Sequence, residues 1–124
     1  EVGHPRIDNE HRVFLSLIID ASAMGETTAP KDRALRLLAE VKKYAEFHFL
    51  SEENIMIDVG YPDYQSHKAE HLRLLARLDE KVHRYEAGAE NLTEVANFMF
   101  EWFALHTTQV DKKLARSIQQ SGQS

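Results

Sequence analysis

The stretch "KKYAEFHFLSEENIMIDVGYP" (42–62) decides the fold, because its apolar residues recur at helical spacing while a histidine and a carboxylate share the same face. Val41, Tyr44, Ala45, His48, Glu52, Ile55 and Met56 fall on one stripe of a long amphipathic helix, which "VGYPD" closes with Gly60 and Pro62. Residues four apart lie above one another on a helix, so His48 and Glu52 point into the same core. Glu53 is turned about 100° from Glu52 and is expected in solvent.

The same periodicity extends outward to four helices, and β-branched alternation is absent. The first starts at Asp8 as N-cap and carries His11, Phe14, Leu15, Ile18 and Ile19 inward, with Gly25 near its end. Pro30 suits the first turn of the second helix. The third runs from about Asp63 to Gly88, with Tyr64, His67, His71, Leu74, Leu75, Leu78 and Val82 inward. Asn91 and Glu94 have the spacing of a capping box for the fourth, which carries Val95, Phe98, Met99, Trp102, His106, Val110, Leu114 and Ile118. Short connections between such helices predict an all-α, antiparallel up-down-up-down four-helix bundle. Residues 1–118 form the expected domain and 119–124 a polar tail or linker.

Composition narrows the chemistry. A chain of 124 residues, 43% hydrophobic and 28% charged, suits one globular domain. The net charge of -5 disfavours nucleic acid and anionic membrane as partners. No apolar run is long enough to span a bilayer and no signal peptide is visible, so a cytoplasmic setting is expected. With no cysteine, thiolate sites and iron–sulfur clusters are excluded, and any metal must be held by His, Asp or Glu.

In an antiparallel bundle His11, His48, Glu52, His67, His71, His106 and Asp111 reach a common level to within about two turns. His67 and His71 repeat the four-residue spacing. His106 and Asp111 are five apart, which calls for a reaching carboxylate or a local distortion. Burying so many imidazoles and carboxylates costs several kcal/mol per ionised group unless a cation is shared. Imidazole with carboxylate suits iron, manganese, zinc or copper, and bridging carboxylates suit a pair of metals. His4 and His83 fall outside this constellation and are expected at the surface. "HKAEH" (67–71) also fits a short zinc-peptidase pattern, which leaves the other five positions unexplained. Ferritin-like carboxylate bundles need more glutamates than this set supplies.

"IDNEH" (7–11), "HFLSEENIM" (48–56), "YPDYQSHKAEH" (61–71) and "WFALHTTQVD" (102–111) together resemble hemerythrin and the bacterial hemerythrin-like domains over nearly the whole chain. The resemblance implies two iron ions, one held by His67, His71 and His106 and the other by His11 and His48. Glu52 and Asp111 would bridge them with an oxo or hydroxo group, and dioxygen would bind at the two-histidine iron. It further implies reversible oxygen binding for storage, delivery or sensing, with no catalytic residue assigned and an enzyme reducing peroxide or nitric oxide as the alternative. Glu10 or Tyr44 would then supply the proton. Trp102 and Phe103, one turn before His106, are expected to shield the open position. Glu10 stands where many bacterial members have Gln, and the segment that usually precedes "VG" (2–3) is short. A covalently attached signalling domain in a longer protein is the expected partner of a sensory form.

Overall fold

The computed structural model describes residues 5–27, 29–106, 112–114 and 116. Four helices carry the chain: α1 (Pro5–Gly25), α2 (Lys31–Val59), α3 (Tyr64–Glu86) and α4 (Leu92–Leu105). α1 packs on α2 and α4, and α3 packs on the same two, so the helices form a closed square. The four-helix bundle expected from the periodicity is therefore the fold.

The ends of the helices follow from local chemistry. Gly60 takes the left-handed conformation at φ 66°, where a β-carbon would be strained, and its N–H closes on Ile57 and Met56. The Asn91 side chain accepts from the Glu94 N–H while the Glu94 carboxylate accepts from the Asn91 N–H, which completes the predicted capping box. α1 begins one turn earlier than Asp8, with Pro5 at its first position. Asp8 is consequently no N-cap but a buried residue of the first turn, one turn before His11.

Phe14, Ile18, Leu38, Val41, Phe49, Leu74, Leu78, Val95, Met99 and Trp102 belong to one continuous core. Ile19, expected inward, is half exposed because it lies beside Ile18 rather than one turn from it. A second, smaller cluster of Ile7, Met56, Tyr61 and Leu114 closes one end of the bundle. Ile7 lies one turn before His11 and Met56 one turn after Glu52. The polar side chains thus sit between two apolar layers. Such a layer excludes water and strengthens every electrostatic contact inside it. No helix among the described residues is long and apolar enough to cross a membrane.

Candidate metal centre

Glu52 is fully buried on α2, and its two oxygens face different histidines. Oε1 lies 3.0 Å from His106 Nε2 and 3.3 Å from His71 Nε2, while Oε2 lies 3.6 Å from His48 Nε2. Two donor sets result: His11, His48 and Glu52, and Glu52, His71 and His106. Within each set the potential ligand atoms lie within 4.8 Å of one another, and all five residues are buried. Each helix contributes at the level where the antiparallel arrangement brings it: the start of α1, the later part of α2, the start of α3 and the residue after α4.

The remaining two predicted positions differ. His67 belongs to neither compact set; it is half-buried one turn before His71, with its ring 5.3 Å from that of Tyr61. Asp111 lies outside the described residues, as do Val110, Ile118, His4 and the domain boundary at residue 118. His106 itself keeps right-handed helical backbone at φ -61° and ψ -47°, its N–H closing on Trp102 and Phe103, and the distortion expected between it and Asp111 lies outside the described residues. His83 is exposed, as expected.

Aromatic rings enclose the sets. Phe49 stacks flat on His71, 4.0 Å apart with planes 3° from parallel, and approaches His106 at 5.3 Å. Phe103 meets His11 edge-on at 5.3 Å, and Phe14 lies 5.9 Å from Phe103. Trp102 stands one layer back, edge-on to Phe14 and Phe49. Phe103 therefore touches the centre and Trp102 supports the rings that do. A cleft lined by Asp20, Met24, Arg33, Arg36 and Glu40 includes none of these site residues.

Two carboxylates not expected behind the histidines complete the surroundings: Glu10, read as a candidate proton donor, and Glu53, expected in solvent. His48 Nδ1 donates to Glu10 Oε1 at 2.8 Å, and Ser51 Oγ donates to Glu10 Oε2 at 2.9 Å. His71 Nδ1 donates to Glu53 Oε2 at 2.8 Å. Glu53 is thus not the solvated residue expected: a position 100° from the core direction on α2 faces the neighbouring α3. The His-carboxylate pairing was hidden because each pair joins different helices.

Electrostatics favour cation binding. Burial pushes His11 down to about 4, helped by repulsion from His48 and opposed by Glu52, so its ring is neutral at pH 7. His67 is lowered in the same way, by burial first and then by His71. Burial would raise Glu10, but hydrogen bonds from His48 and Ser51, the charge on His48 and a bond from Arg6 outweigh it and hold the carboxyl below its ordinary value. With Nδ1 of His48 and His71 turned to Glu10 and Glu53, each ring presents Nε2 to Glu52, at 3.6 Å and 3.3 Å from its carboxylate oxygens. A cation between these nitrogens and oxygens would be ligated by both at once, since imidazole and carboxylate are both metal donors. The donor set fits a pair of metals without thiolate ligands.

The His11 shift has a consequence for the metal-free protein. Its folded value lies below the unfolded value of 6.5, so the unfolded chain binds more protons between the two. The contribution is fully present above 6.5 and is lost as pH falls toward about 4, reaching about 3 kcal/mol at most. Thermal unfolding of the chelator-treated protein is expected at a lower temperature at about pH 5 than at about pH 7. An unchanged midpoint would remove His11 from the buried neutral state.

Fold and site together define an all-helical cation-binding domain with a His/Glu di-metal site. The chain belongs to the hemerythrin HHE cation binding domain family, whose pattern matches residues 2–118. It is 29% identical over 119 residues to the bacteriohemerythrin of Clostridium acetobutylicum, covering 91% of this chain and 92% of that protein. With the bacteriohemerythrin of Methylococcus capsulatus it shares 30% identity over 108 residues, 85% of this chain and 80% of the other. Its backbone matches a crystal structure of wild-type hemerythrin with a TM-score of 0.83 at 24% identity, over 92% of this chain and 88% of that one, a likeness of fold.

Proposed function

We propose that this chain binds dioxygen reversibly at a pair of iron ions, for storage, delivery or sensing. The observation that carries the reading is Glu52, with one oxygen toward His48 and the other toward His71 and His106. His11 and His48 would hold one iron and His67, His71 and His106 the other, with Glu52 and Asp111 shared between them. A reduced iron pair held there would supply the two electrons that reversible dioxygen binding requires.

The chain's own residues set the conditions for that exchange. If His67 joins His71 and His106 as proposed, the His11 side would have one protein donor fewer and leave room for an outside ligand, and Phe103 and Phe14 wall that side. Trp102 holds Phe14 and Phe49 in place. These rings exclude water, and with it the protons that would make oxygen binding irreversible. Reduction of peroxide or nitric oxide needs a proton donor instead. Of the two candidates, Glu10 is held ionised by His48, Ser51 and Arg6, which disfavours it in that role at neutral pH. The proposed domain is residues 1–118, with 119–124 as a tail; a sensory form would join it to a signalling domain in a cytoplasmic setting.

The test is the visible spectrum of the iron-loaded, chemically reduced protein under argon, after air is admitted and after it is withdrawn. A charge-transfer band that appears with air and leaves with it is expected. A permanent oxidised spectrum with no reversible stage would overturn reversible binding and move peroxide chemistry ahead.

A further inference from the structure

Glu10 and Glu53 touch the two histidine sets from behind. Glu10 sits on α1 and accepts from His48 on α2; Glu53 sits on α2 and accepts from His71 on α3. Each carboxylate therefore serves one donor set, and each crosses a helix interface to do so. The surroundings are unequal. Glu10 is 4% exposed and is also held by Ser51, itself buried, and by Arg6 Nε at 3.4 Å. The Glu53 side chain is 14% exposed, nearer to solvent.

We propose that Glu10 and Glu53 are the positioning residues of the two half-sites, fixing the rings of His48 and His71 with Nε2 inward and placing a negative charge behind each. The inference rests on His48 and His71 being cation ligands. A carboxylate that accepts from Nδ1 selects one tautomer, freezes the ring plane and makes the opposite nitrogen a stronger donor. Its charge also favours the more highly charged state of a bound redox ion. Both effects grow with burial, since a buried charge is screened less. Glu10 therefore acts more strongly than Glu53.

Two readouts on the full chain separate this role from a merely structural one: zinc affinity of the metal-free protein in competition with a chromophoric chelator, and the midpoint potential after iron loading. Glutamine retains the shape and an accepting oxygen but not the charge. E10Q is expected to weaken zinc binding at the His48 half by about 10-fold or more, within the range of about 10–100-fold usual for such partners. Its iron potential is expected to move positive. E53Q is expected to do the same at the other half to a smaller extent, and the double variant to show both changes. E10D retains the charge and is expected to restore the potential more than the affinity.

S51A loosens Glu10 without altering its charge, and provides a milder variant if E10Q does not fold; a small loss of zinc affinity is expected. H48A is the control for the ligand assignment. Wild-type affinity and potential in E10Q and E53Q, with zinc binding at that half lost in H48A, would overturn the positioning role while leaving the site intact. Undiminished binding of two zinc ions by H48A would instead overturn the ligand assignment and the inference with it.

Discussion

Replacing Glu52 with leucine is expected to abolish the two-metal site while leaving the metal-free bundle no less stable than the parent. Among the described residues Glu52 is the one common to both donor sets, so its loss removes a ligand from each at once. In the absence of metal it is a fully buried carboxylate, whose desolvation costs several kcal/mol before its contacts offset any of it. Removing one partner of a buried ion pair usually costs about 3–5 kcal/mol because a charge is orphaned. Here His11 is neutral at pH 7, and Phe49 and Met56 offer leucine an apolar seat.

The cations reverse the balance in the parent. A site filled at about a hundredfold excess over its Kd adds about 2.7 kcal/mol to stability, and two sites add accordingly. Elemental analysis after iron loading is expected to give two irons per chain for the parent and none retained by E52L. Melting with chelator is expected at a similar or higher temperature in E52L, and only the parent gains on loading. Retention of two cations by E52L would deny Glu52 its bridging place. A chelator-treated E52L that no longer folds would show the carboxylate to be structural.

The two outcomes also separate what the sequence displayed from what it concealed. His48 and Glu52, four apart on an apolar stripe, are visible as intruders, and the antiparallel arrangement brings them to His11, His71 and His106. Spacing along one helix is a local property and survives in the sequence. Glu10 and Glu53 show no such signal, because their partners lie on other helices and their own neighbours in sequence are ligands or surface residues. Only the rotation of α1 against α2 and of α2 against α3 makes them part of the site. Asp8 was misplaced for a different reason: an Asp before an apolar run has the chemistry of an N-cap, yet Pro5 supports an earlier start. His67 keeps helical register with His71, but register alone does not carry its ring past Tyr61 into the compact set.

Phe49 is expected to be the most costly apolar side chain to truncate. It is 2% exposed and touches His71, His106, His48 and Trp102 at once. A phenylalanine so placed loses about 3–5 kcal/mol on truncation to alanine, from lost transfer energy and from the cavity left behind. That is a large part of the about 5–15 kcal/mol that holds a typical domain together. Phe47, two residues earlier on the same helix, points to the opposite side and is half exposed. F47A is expected to change stability by about 0.5 kcal/mol or less. Urea unfolding of the two variants, followed by the fluorescence of the single Trp102, compares one residue type at one helical level with burial as the main difference. Equal midpoints would deny the packing. Metal loading then separates core from site: the flat stack on His71 fixes the plane in which its Nδ1 reaches Glu53 and its Nε2 faces Glu52. F49A is therefore expected to recover less stability from added metal than the parent does, whereas full recovery would make Phe49 a core residue alone.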